Sequence, residues 1–112
     1  MQHTEPNQPF WRQGDIFFVK LDQEVSLDQG AVLKNGIIAR GEETGHTHRV
    51  AASSLAAGAA LVTLDRSTYL RSPGEGADIV HEEHGRIHLP AGLFAVVRQQ
   101  EFDGLRWRQV WD

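Results

Sequence analysis

Gly14-Asp15-Ile16-Phe17-Phe18-Val19-Lys20-Leu21 is the stretch whose reading decides the fold. It is short, rich in aromatic and β-branched side chains, and almost unbroken in apolar residues. Gly and Asp at its start supply turn chemistry. A run of this kind reads as a central strand rather than as a helix, which needs at least ten or so residues.

The same grammar continues downstream. Ala31-Val32-Leu33-Lys34 and Ile37-Ile38-Ala39-Arg40 flank Asn35-Gly36, and Asn-Gly between two such runs predicts a two-residue hairpin, because a type I′ turn needs positive φ at both central positions. Gly41-Glu42-Glu43-Thr44-Gly45 reads as a polar loop feeding a strand over His46-Thr47-His48-Arg49-Val50. Ala51 to Ala60 is the one place where a short helix can form. Leu61–Leu64 and Thr68–Arg71 pair across Asp65-Arg66-Ser67. Ala77–His81 leads through Glu82-Glu83-His84-Gly85 into Arg86–Leu89, and Pro90-Ala91-Gly92 turns into Leu93–Gln100. Phe102-Asp103-Gly104 turns again into a last strand, Leu105–Trp111, with Leu105, Trp107 and Trp111 on one face. Turn residues at such close intervals predict an all-β domain, a small barrel or sandwich of about eight to ten short antiparallel strands.

Composition bounds the rest. At 112 residues, 40% hydrophobic and 23% charged, the chain is sized for one ordinary domain. Residues 1–9, polar and with two prolines, read as a flexible arm before a single β domain over 10–112. Cysteine is absent, which removes disulfides, thiolate zinc sites and thiol nucleophiles. A net charge of −4 and only two lysines, Lys20 and Lys34, argue against duplex DNA as a partner. The N-terminus carries no basic-then-apolar leader, and no apolar run is long enough to span a bilayer, so a cytoplasmic protein is expected. No Gly-x-Ser-x-Gly elbow and no Gly-rich phosphate loop is present, so the hydrolase and nucleotide templates built on them fail.

The chemistry lies in the histidines, six in all. His46 and His48 stand at i, i+2, so on a strand both rings point to one face. His81 and His84 stand at i, i+3 around Glu82-Glu83, and Gly85 suits the left-handed position that closes a tight turn. The ends of such a turn lie within about 7 Å, which lets both rings reach one ion. His88 shares strand parity with His84. Neutral imidazoles suit a divalent transition metal such as Zn, Fe or Ni. Glu82 and Glu83 are the candidate catalytic bases, with Glu42 and Glu43 as further carboxylates. Proton competition near the unperturbed imidazole value predicts binding that weakens as pH falls through about 6.5. Without a metal, the same residues, with Arg49 or Arg86 near, can serve proton transfer beside a phosphate or carboxylate, or RNA processing.

Gly41-Glu42-Glu43-Thr44-Gly45-His46-Thr47-His48 resembles the first cupin motif, and Gly85-Arg86-Ile87-His88-Leu89-Pro90-Ala91-Gly92 resembles the second. That resemblance implies a small β-barrel holding a metal inside on its histidines. The first-motif spacer is one residue short here, its glutamate falls among Ala51, Ala52, Ser53 and Ser54, and the second-motif histidine falls at Ala95. The resemblance therefore implies that His81, His84 or His88 supplies the missing ligands. Gln13-Gly14-Asp15, Gly45-His46-Thr47-His48-Arg49 and His81-Glu82-Glu83-His84-Gly85 also look similar to small bacterial proteins without assigned function, which implies an intracellular bacterial setting.

The expectation is thus a metal site of His46, His48, His81 and His84 that serves either a metal-dependent enzyme acting on a small molecule or a non-catalytic sensor or accessory module. An exposed edge strand in so small a sheet favours a homo-oligomer.

Overall fold

In the computed structural model, residues 9–40 and 46–99 are described. Ten strands and one short helix follow in the order β1 (Phe10–Gln13), β2 (Ile16–Lys20), β3 (Ala31–Val32), β4 (Ile37–Arg40), β5 (Thr47–Val50), α1 (Ala52–Ala56), β6 (Ala60–Leu64), β7 (Ser67–Ser72), β8 (Ala77–Val80), β9 (Ile87–Leu89) and β10 (Gly92–Arg98). They form two antiparallel sheets, β1-β2-β10-β7-β6-β3 and β4-β5-β8-β9. The chain is all-β and sandwich-like. The described strands do not close into the barrel that the cupin resemblance implies.

Strand alternation builds the core. Phe18, Leu61, Leu70 and Phe94 from the larger sheet meet Val50, Ile79 and Leu89 from the smaller one, and all are essentially inaccessible to water. Each such side chain contributes about 1.5–3 kcal/mol of burial. β2 lies between β1 and β10 and is buried from Ile16 to Val19, as its unbroken apolar run predicts.

Three local readings need correction. Asn35-Gly36 does not close a hairpin. β3 pairs with β6 in one sheet while β4 pairs with β5 in the other, so the turn carries the chain between sheets. Its chemistry is nonetheless that of a turn: Gly36 N–H donates to Leu33 O, Ile37 N–H donates to Asn35 Oδ1, and Gly36 has φ +71°. The Leu61–Leu64 pairing closes over two residues, Asp65-Arg66, rather than three, since Leu64 stands opposite Ser67. Phe10–Gln13 forms a strand that the sequence reading passed over, because only two of its residues are apolar. The signal was Gly14-Asp15: Gln13 stands opposite Ile16, and positive φ at Gly14 (+61°) but not at Asp15 marks a two-residue type II′ turn. The loop over 41–45, with Glu42 and Glu43, and the strand expected over Leu105–Trp111 lie outside the described residues.

Candidate functional site

The histidines gather at the seam where the β1–β2 hairpin of the larger sheet meets β5 and β8 of the smaller one. In β5 the parity that buries Val50 also buries His48, which is 6% exposed. β5 and β8 pair through Arg49↔Val80 and Val50↔Ile79, so one further step of the ladder sets His48 opposite His81. Their ring centroids are 4.3 Å apart. His84 follows through the turn, its ring 4.6 Å from His81 and 5.8 Å from His48, stacked at 14° to the latter. His46, just before β5, lies edge-on to His81 at 5.7 Å. The structure thus brings His46, His48, His81 and His84 together.

Gln13 fixes the chemistry of His48. Its side-chain amide donates to the carbonyls of Ile79 at 3.0 Å and Gly85 at 2.9 Å. Carbonyls only accept, so the amide orientation is set, and Gln13 Oε1 is the acceptor presented to His48 Nδ1 at 2.9 Å. Nδ1 therefore carries the proton, and Nε2 of the neutral ring carries the lone pair. Burial, reinforced by neighbouring His81, lowers the His48 pKa from 6.5 to about 4. His48 is neutral at physiological pH, and the proton competition expected near 6.5 does not apply to this ring.

Asp15 faces that lone pair. Its Oδ1 lies 3.8 Å from His48 Nε2, and its Oδ2 lies 3.6 Å from Arg98 Nη1. Gly14 makes the approach possible. A Cβ built there would meet His84 Nε2 at 2.8 Å and His48 Cε1 at 3.1 Å, so both rings rest against a bare backbone.

The turn after β8 is arranged differently. His81 Nδ1 accepts from the backbone N–H groups of Glu83 (3.0 Å) and His84 (3.1 Å). The neutral His81 ring consequently carries its proton on Nε2. Glu82 Oε1 accepts Thr47 N–H at 2.9 Å, a bond that holds its carboxyl below the usual pKa. That contact ties the turn to β5 and makes Glu82 a weaker base than its type suggests. Glu83 Oε1 lies 3.6 Å from His46 Nδ1. His46, His81 and Glu82 bring one ligand-type atom each within 4.8 Å of one another. Two members of that triad already hold backbone N–H groups, so His48 Nε2 is the better placed nitrogen for a cation.

Elsewhere the sequence reading and the geometry part. His88 does not join the cluster; its Nδ1 pairs with Asp78 Oδ1 at 2.6 Å, its cross-strand neighbour. Gly85 is not left-handed, and a Cβ there would meet nothing; its carbonyl is what the site uses. Ala95 sits in β10 between Val19 and Tyr69, in the larger sheet. Gln13 and Asp15 were missed as site residues. Their traces in the sequence were the Gly-Asp turn between two β-prone runs and the Gln13-Gly14-Asp15 motif, to which no chemistry was attached.

A recess of about 150 Å³ lined by Thr47, Arg49, Val80, His81 and Glu82 adjoins the cluster. It admits water or a very small ligand, well short of the roughly 300 Å³ at which small-molecule pockets begin.

A family model, the domain of unknown function DUF8820, matches residues 12–99, most of the chain, so the chain belongs to that family. No curated protein and no solved structure matches it. The family match spans Gln13, Asp15 and all four clustered histidines.

Proposed function

We propose that this domain binds one divalent transition metal at the β1–β2/β5–β8 seam, with His48 Nε2 and Asp15 Oδ1 as its first two ligands. One observation carries the proposal: a neutral imidazole with its lone pair on Nε2 faces a carboxylate oxygen across 3.8 Å. Two acceptors in that relation share no proton of their own and are best bridged by a cation. Two ligands of a tetrahedral ion with bonds of about 2.1 Å stand about 3.4 Å apart, so a movement of a few tenths of an ångström closes the site. His84 stacks beside His48 with ring centroids 5.8 Å apart, and the His46, His81 and Glu82 group adjoins the pair and can complete the shell. Gln13 plays the outer part that metal-ligating histidines need, an acceptor on the non-ligating N–H.

His84 and Asp15 are exposed while His48 is buried, which supports a metal bound at the rim with positions left for water. Such a site suits metal-dependent chemistry on a small molecule. Closed coordination would instead indicate a sensor or accessory module.

A metal-free reading draws on His81. Its Nε2–H, fixed by two backbone donors on Nδ1, belongs to a ring 4.3 Å from that of His48, so the two rings offer one donor and one acceptor, the equipment for proton transfer or for gripping a polar ligand.

Metal analysis of untagged protein, followed by calorimetric titration with Zn²⁺ and Ni²⁺, separates the two. One equivalent bound, lost in Asp15→Asn and in His48→Ala, supports the metal site. No binding above the level of His48→Ala leaves the metal-free pair.

A further inference from the structure

A second, larger cavity of about 550 Å³ flanks the end of the six-stranded sheet, where β7 and β10 part after the Thr68↔Val96 pair. Its size falls inside the range of small-molecule pockets. Ile38, Tyr69 and Val97 give it apolar walls, and Thr68 offers a hydroxyl. Two arginines line it, Arg66 and Arg98, and among the described residues that line it none is acidic. In a chain with net charge −4, two cations line this cavity, one of which, Arg98, also lies 3.6 Å from Asp15 Oδ2 beyond the lining. Arg66 enters from the β6–β7 turn and Arg98 from the last residue of β10.

Arg66 shares with Asp65 (φ +52°) the positive φ of a type I′ turn, and at the second position Gly is the usual residue. Arg66 has φ +70° in the two-residue Asp65-Arg66 turn, a left-handed conformation that costs a bulky side chain and that Gly adopts freely. The hairpin would close better with Gly, so turn geometry does not account for an arginine at this place. Backbone strain of this kind concentrates where a side chain serves a ligand.

We propose that this cavity binds a small amphipathic monocarboxylate, its apolar body against Ile38, Tyr69 and Val97 and its carboxylate between Arg66 and Arg98. None of these contacts uses a histidine or needs a metal. Arg98 nonetheless connects the two places, since its guanidinium also reaches Asp15 Oδ2.

Calorimetry on the full chain in EDTA, with decanoate and decanol as probes, tests this. Saturable 1:1 decanoate binding is expected, at least tenfold tighter than decanol, because only the anion engages the arginines. Arg66→Gly should raise Tm by relieving the turn and still weaken decanoate about tenfold. A loss of affinity in a more stable protein is a combination that a merely structural role for Arg66 does not produce. Val97→Trp, which fills the cavity, should abolish binding; if that variant fails to fold, the Arg66→Gly result decides alone. Absence of saturable decanoate binding, equal affinity for decanol, or unchanged affinity in Arg66→Gly would each overturn the proposal.

Discussion

Asp15 Oδ1 stands 3.8 Å from His48 Nε2, while the other nitrogen of that ring is held at 2.9 Å by Gln13. Gln13 is last in β1, Asp15 is in the following turn, and His48 is in β5, so one hairpin of the larger sheet both orients a histidine of the smaller sheet and presents it with a carboxylate. The consequences can be measured one residue at a time.

Gln13→Ala removes the acceptor for His48 Nδ1–H and the donors to two carbonyls, of Ile79 in β8 and of Gly85 in the connection to β9. Leaving such buried groups unpaired costs about 1–3 kcal/mol each, part of which water recovers. Urea unfolding in EDTA should show a loss of about 2–3 kcal/mol. Metal affinity should fall by roughly 10–100-fold, as it does when the outer partner of a ligating histidine is removed.

Gly14 and Gly85 should respond in opposite ways to Ala. Gly14 has φ +61° and its absent Cβ leaves room for two imidazoles, so Gly14→Ala should destabilise by more than about 1 kcal/mol and displace both rings. Gly85 has neither constraint, and Gly85→Ala should stay within about 0.5 kcal/mol. Chemical denaturation of the two variants side by side checks both.

The depressed His48 pKa fixes a direction for acid sensitivity. Below 6.5 the unfolded chain takes up a proton at this position, whereas the folded chain refuses it until about 4. The contribution of His48 is therefore fully present above about 6.5. It falls as pH drops toward 4, at no more than about 1.4 kcal/mol per pH unit, and levels off below. Subtracting the pH–stability curve of His48→Asn from that of the parent protein, both without metal, isolates this contribution. A difference that grows as pH falls from 6.5 would mean that the sign is wrong.

His88 provides the control for site membership. It is paired with Asp78 rather than with the cluster, so His88→Ala should change metal affinity by less than about twofold, while His48→Ala should abolish most binding. Equal losses from the two variants would place His88 in the site after all.

The sequence carried the strands well because their signal is local. The same-face burial of His48 and Val50 in β5 and the apolar run of Ile16–Val19 follow from side chains alone. The i, i+2 and i, i+3 histidine pairs were legible for the same reason. Asn35-Gly36 misled because turn chemistry specifies a reversal, not the sheet in which the next strand will pair. Gln13 and Asp15 stood out only as part of a motif, and their roles stayed hidden because they come from contacts 35 and 33 positions away along the chain. No local pattern marks a glutamine that will staple two sheets together.

Long-range ¹H–¹⁵N correlation spectra of the histidine rings test the central claim most directly, since they report the protonation of each nitrogen separately. In EDTA at neutral pH, His48 should show a protonated Nδ1 and a bare Nε2. One equivalent of Zn²⁺ should then shift the Nε2 resonance and leave the Nδ1 proton in place, and Asp15→Asn should require at least tenfold more Zn²⁺ for the same change. A proton on Nε2 of metal-free His48, or an Nε2 resonance that Zn²⁺ does not move, would contradict the assignment of this seam as a metal site.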